Sequence, residues 1–185
     1  MTRWLSDEEQ RAWRAYLEMT RLLFDRLDHE LQRDAGMAHP YYQILVALSE
    51  APARTLRMSQ LAELTQSSRS RLSHAVARLE ENGWVSRVPC DIDKRGSFAV
   101  LTDEGFRVLA AAAPGHVEGV RDHLFDRLTP EQVEQLRQIA EVVVAGMRGP
   151  NAEVGLRGPN AESGLRGPNA EVGLRSPNET ALSEP

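Results

Sequence analysis

One cysteine, Cys90, in 185 residues leaves no partner for an intrachain disulfide, so packing and hydrogen bonds alone must hold the fold, as in a reducing compartment. Long apolar runs are missing too. Runs such as Val142–Ala145, and even the six-residue Val108–Ala113, fall far short of the ~18 residues that span a bilayer. The segment Met1–Glu9 is acidic and polar, unlike the basic and apolar start of a secretory signal. A cytoplasmic protein without a membrane partner is expected. Lysine is nearly absent, Lys94 being the only one among 22 basic residues, a bias without functional weight. Excess positive charge is also lacking: the formal net charge is -5. No global basic field announces a nucleic-acid partner, although the placement of the cations matters more than their sum.

What is present is ordinary for a globular chain, with 41% apolar and 26% charged residues. From Arg148 onward a nine-residue period repeats, RGPNAEVGL, RGPNAESGL, RGPNAEVGL and then RSPNETAL. The Gly-Pro-Asn and Ser-Pro-Asn steps block helices and ladders, and one or two apolar residues per repeat cannot offset chain entropy. Residues 148–185 are therefore expected to be a disordered low-complexity tail, and residues 1–147 the folded domain.

Within 1–147 the pattern is mostly helical. Trp13, Tyr16, Leu17, Thr20, Phe24, Leu27 and Leu31 follow a three-and-four rhythm, which predicts a long amphipathic helix from Ser6 to about Asp34, closed by Gly36. A second helix is expected over Pro40–Ser49, then a loop and a short extended Thr55–Arg57. Ser59 is read as the cap of a short helix carrying Leu61, Ala62 and Leu64. Gln66, Ser67 and Ser68 lead into a helix over Arg69–Asn82, ended by Gly83. Leu72, Ala75, Val76 and Leu79 share its inner face, while Ser70, Arg71, His74, Arg78 and Glu81 point away. Two helices joined by a short polar turn, the second with a small, polar and basic outer face, match a helix-turn-helix.

Trp84–Val88 and Ser97–Leu101 read as paired strands, with the polar segment Pro89–Gly96 projecting between them as a wing. Thr102 caps a further helix, which Pro114-Gly115 is expected to kink or interrupt. Thr129, Pro130 and Gln132 open the last helix with a capping box. Its stripe is Val133, Leu136, Ile139, Ala140, Val143 and Met147. The expected fold is mainly α with a small β-hairpin wing: a winged helix-turn-helix domain plus helical dimerisation arms.

The run Arg78-Leu79-Glu80-Glu81-Asn82-Gly83-Trp84-Val85, then Arg87, Asp93-Lys94-Arg95 and Leu101-Thr102-Asp103-Glu104-Gly105 resembles the MarR family (multiple antibiotic resistance regulators) in order and spacing. The likeness covers about residues 10–147. The resemblance implies a homodimer that binds a near-palindromic double-stranded DNA operator, usually as a repressor released by a small phenolic or lipophilic ligand. Lysine after the wing aspartate and the repeat tail depart from the family pattern.

Between Ser67 and Arg95 six cations outnumber four acids, a local excess within an acidic chain. Ser67, Ser68, Arg69, Ser70, Arg71, Ser73, His74, Arg78, Asp93, Lys94 and Arg95 are the candidate DNA contacts. The serines at the helix start suit phosphate oxygens, or one merely caps the helix. Arg71 has the reach for guanine, with His74 one turn on. Arg78 either pairs with an acid such as Glu81 or meets phosphate. Arg95 suits a narrow minor groove, with Asp93 orienting it or tying Arg87 to the wing root. Trp13, Tyr16, His39, Tyr41 and Tyr42 are candidate ligand-pocket residues and fit equally well as core and dimer interface. Cys90 is either a redox switch or a small apolar residue; His29, His39, His116 and His123 lack metal-ligand spacing in sequence. A redox- or metal-responsive regulator of the same fold is the alternative. No cofactor is implied. An enzyme is not expected, because nucleophile elbow, glycine-rich phosphate loop and metal motif are all missing. Nor is an adaptor that has lost DNA binding, because Arg71, Asp93 and Arg95 are retained.

Overall fold

A computed structural model describes the chain over residues 1–90 and 96–148, with the side chain of residue 148 left aside. The wing-tip candidates Asp93, Lys94 and Arg95 and, from residue 149 on, the repeat tail lie outside the described residues; residue 148, expected to open the tail, is the last of the final helix.

Ser6 starts the first helix, α1 (Asp7–Ala35), with a reciprocal capping box to Glu9. Gly36, at φ 60°, ends it in the left-handed region where an L side chain is strained. Only its C-terminal half is buried, through Leu27 and Leu31. Helix α2 (His39–Glu50) buries Tyr42, Ile44, Leu45 and Leu48. A single helical turn at Pro52–Arg54 then leads to strand β1 (Thr55–Arg57).

Helix α3 (Met58–Leu64) starts one residue before Ser59, so the serine lies in its first turn rather than capping it. Gln60 instead reaches back to accept from the Arg57 N–H at 3.2 Å. The turn into α4 (Arg69–Glu81) places Gln66 at φ 48°, and Ser67 N–H donates to the Ala62 carbonyl at 2.9 Å. Leu72, Val76 and Leu79 bury the inner face of α4. Strands β2 (Val85–Pro89) and β3 (Ser97–Leu101) follow, β2 starting one residue later than the sequence suggests. The sheet is antiparallel in the order β1-β3-β2, with Leu56 opposite Ala99 and Arg87 also opposite Ala99 from the other side. The short extended segment before α3 is thus the third strand of the wing sheet.

Helix α5 (Asp103–His123) runs unbroken through Pro114, contrary to the expected interruption. Proline removes one helical hydrogen bond, but Leu109, Ala112, Ala113 and Gly119 on either side of it are buried. Packing of that face outweighs the missing bond. A helical turn (Phe125–Arg127) precedes α6 (Pro130–Arg148). The Thr129–Gln132 capping box forms as expected, with bonds of 2.9 and 3.3 Å.

The core sits where α1, α2, α3, α4, the sheet and α5 meet, around Met37, Leu45, Leu48, Leu61, Leu79 and Leu109. Each fully buried leucine there contributes roughly 2 kcal/mol from removal of apolar surface. Gly105 in the first turn of α5 shows why the Leu101–Gly105 motif ends in glycine. Thr102 donates from its N–H and its hydroxyl to the Trp84 carbonyl, at 3.0 and 3.1 Å. The helix start is held so close that a methyl at Gly105 would strike that carbonyl.

Candidate nucleic-acid interface

Ser68 caps α4, its hydroxyl accepting from the Arg71 N–H at 3.2 Å. Ser67 turns its hydroxyl to the Thr65 carbonyl at 3.3 Å. Two of the serines at this helix start therefore have local structural partners, whereas Ser70 and Ser73 stand exposed on the first turns. Arg69, Arg71 and His74 are exposed as well. Burying Leu72, Val76 and Leu79 inward necessarily turns Ser70, Arg71, Ser73, His74 and Arg78 outward, because the helix repeats every 3.6 residues. Arg78 donates to Glu81 at 2.7 Å, and that bond raises its already high pKa.

An open groove runs along this helix, lined by Tyr41, Arg71, His74, Ala75, Arg78 and Glu81. Tyr41 enters it from the start of α2. Sequence reasoning placed Tyr41 with the aromatic ligand-pocket set, because nothing in the sequence tells which side of α2 faces α4. The other members of that set are also dispersed. Trp13 and Tyr16 stack on each other with ring centroids 6.0 Å apart, on the exposed half of α1. His39 and Tyr42 lie at the α1–α2–α5 junction, 5.6 and 4.4 Å from the His116 ring.

That junction gathers titratable groups. The His39 N–H donates to Asp28 Oδ1 at 2.7 Å, and His123 Nε2 lies 2.7 Å from Glu30 Oε1. Burial pushes the pKa of His39 down against the opposing pull of Asp28. Burial, then the neighbouring His39, pushes His116 down. A cleft of about 70 Å³ opens beside His116 between α1 and α5, bordered by Glu30 and Asp34. Among the described residues no three of histidine, cysteine, aspartate and glutamate converge as metal ligands.

The root of the wing is tied to its surroundings on two sides. Cys90 N–H donates to the Gly96 carbonyl at 3.0 Å, closing the hairpin base. Cys90 is 5% exposed, and its thiol accepts from Arg57 Nη2 at 3.3 Å, joining β1 to the wing. The nearby cation is thus Arg57, from a distant part of the sequence. On the other side, Arg87 reaches α4, with its Nη2 2.6 Å from the Ser73 carbonyl and its Nε 2.9 Å from Glu80 Oε2. Glu80 was not among the candidates; its place one turn before the glycine of the Arg78–Gly83 motif, seven residues before Arg87, was the available signal.

The model of the MarR family matches residues 35–96, which run from the end of α1 to the wing. The transcriptional regulator HosA of Escherichia coli O127:H6 is 33% identical over 114 residues, spanning 62% of this chain and 80% of HosA. The chain belongs to the MarR family. Two solved MarR-family regulators of Streptomyces coelicolor extend the likeness over the whole fold. Sco3205, solved in complex with DNA, is 56% identical at a TM-score of 0.78, with 84% of this chain and 97% of that chain covered. AbsC is 44% identical at a TM-score of 0.75, with 80% and 99% covered. The winged-helix architecture is therefore that of the MarR family, a family of transcriptional regulators and not of enzymes. No helix among the described residues is long and apolar enough to cross a membrane.

Proposed function

We propose that this MarR-family chain is a repressor that binds a near-palindromic operator as a homodimer, reading it with α4 and the wing. The observation that carries the reading is the division of α4 into two faces, Leu72, Val76 and Leu79 buried and Arg71, His74 and Arg78 exposed. A relative of 56% identity solved on DNA supports it. Arg71 and His74 read base edges in the major groove, and Ser70, Ser73 and Arg69 meet phosphates. Ser68 presents the helix N-terminus to the backbone. On the sequence argument alone, Arg95 of the wing is assigned the minor groove, with Asp93 orienting it or tying Arg87 to the wing root and Lys94 adding a cation at the same tip.

The partner subunit is a second copy. Trp13, Tyr16, Leu17 and Phe24 on α1, and Ile139, Val142, Val143 and Met147 on α6, are exposed large apolar residues on the first and last helices. Apolar faces of this extent mark an interaction surface. Release by a small phenolic or lipophilic ligand follows the family pattern. His39, Tyr42 and His116 at the α1–α2–α5 junction are its best-placed receptors, because a ligand wedged there would act between arm and reading domain.

The test is selection of genomic DNA fragments by the purified full chain. Enrichment of a few two-fold sites with half-site centres about 10 bp apart is expected. Recovery of fragments with no shared sequence would refute specific reading. Deletion of the gene should raise transcription next to the recovered sites; a fall there would identify an activator instead.

A further inference from the structure

The helix proposed to read bases and the wing proposed to enter the minor groove are joined by one pair of side chains. Arg87, the middle residue of β2, projects across to α4. Its Nη2 donates to the Ser73 carbonyl at 2.6 Å, and its Nε lies 2.9 Å from Glu80 Oε2, a charge contact outside hydrogen-bond alignment. Glu80 returns the interaction, its Oε1 accepting from the Arg87 backbone N–H at 2.9 Å. Ser73 and Glu80 are seven residues, about two turns, apart on one flank of α4. The guanidinium thus bridges the Ser73 carbonyl and the Glu80 carboxylate, and the carboxylate grips the strand backbone as well as its side chain. Both side chains are half-buried, where a charge pair is screened less than on the open surface.

We propose that Glu80 and Arg87 are positioning residues that lock the angle between the reading helix and the wing. This rests on the DNA-binding reading above. Base contacts from α4 and groove contacts from the wing have to be made together, so a fixed angle lets one docking pose satisfy both. Without the pair either contact set still forms, but the two no longer fit one DNA geometry. Specific affinity then falls while phosphate-driven, non-specific affinity does not. The competing role, Arg87 as a phosphate contact, makes the opposite forecast. Its loss would weaken all DNA alike and lower the slope of log K against log salt by about one unit.

The experiment measures affinity by fluorescence anisotropy at several salt concentrations, for a selected genomic fragment and a scrambled one. The proteins are wild type, Glu80→Gln, Arg87→Met, Arg87→Lys and the Glu80→Gln/Arg87→Met double variant, each checked by circular dichroism for its fold. Each of Glu80→Gln and Arg87→Met is expected to weaken the specific complex about tenfold, and the double variant no further, as for residues in one network. Arg87→Lys, which keeps the charge and loses the two-point span, falls between. Scrambled DNA and the salt slope stay as in wild type. Unchanged specific affinity in Glu80→Gln overturns the proposal, even should Arg87→Met fail to fold. So does a uniform loss confined to Arg87 with a reduced slope. Wild type that prefers no fragment over the scrambled one overturns the DNA reading itself, a separate and recognisable outcome.

Discussion

At the scale of single residues, the outward face of α4 and the wing tip make different forecasts. Arg71→Ala, which takes away the guanidinium proposed to contact a base, should weaken the selected operator by about 1–3 kcal/mol while relaxing preference at one base pair. Arg95→Ala should also weaken the operator strongly and leave the chain folded. Gel-shift titrations over a range of salt concentrations check both; operator affinity equal to wild type in either variant refutes the assigned role. Arg71 and His74 were legible in the sequence because the apolar spacing of Leu72, Val76 and Leu79 leaves them only the outer face. Arg78 was half legible: sequence offered Glu81 or phosphate as its partner, and the described structure gives it Glu81. The Arg57–Cys90 and Arg87–Glu80 contacts were not legible. The first joins residues 33 apart in sequence, brought together only by sheet pairing.

At the scale of elements, most caps and glycines were read well because their chemistry is local. Thr102, Thr129 and Gly36 do what their residue types require, whereas Ser59 falls inside the first turn of α3 instead of capping it. Pro114 misled for the same reason, since a local rule gives no weight to the buried face of α5 that carries the helix through. The placement of Trp13, Tyr16, His39, Tyr41 and Tyr42 depends on how α1, α2 and α5 pack, and no spacing rule encodes that. Gly105→Ala is expected to destabilise the chain by about 2 kcal/mol or more, because the clash with the Trp84 carbonyl exceeds the gain in helix propensity. Chemical denaturation followed by circular dichroism measures it, and a variant as stable as wild type would show that the α5 start can shift. The α1–α2–α5 junction carries a pH dependence. Burial lowers the pKa of His39 and His116 below their ordinary value of 6.5. As pH falls through about 6.5 the unfolded chain gains protons that the fold resists, so stability declines; above that range the two histidines add no pH dependence. The melting temperature should drop between about pH 7.5 and 5.5, and a His39→Gln/His116→Gln variant should show a flatter profile over that window. Identical slopes in variant and wild type would place the pH dependence elsewhere.

At the scale of the whole molecule, net charge pointed away from nucleic acid, and the folded frame shows why that sum misleads. Eight of the acids lie on α1 alone, while Arg69, Arg71 and Arg78 stand together on the exposed face of α4. Val142 on α6 is 74% exposed, an apolar exposure that the proposed second copy would relieve. Light scattering should give a mass twice the 20.6 kDa of the chain, and Val142→Asp should shift it toward a single chain at micromolar concentration. A wild-type monomer would contradict the arm assignment. The central claim is that this chain recognises a DNA sequence, and not merely the charge of DNA. The most direct measurement is the ratio of its affinities for a selected genomic fragment and a scrambled fragment of equal length, at one fixed salt concentration. The account predicts a ratio of about 10³ or more, as for specific operator binders; equal affinity for the two would contradict it.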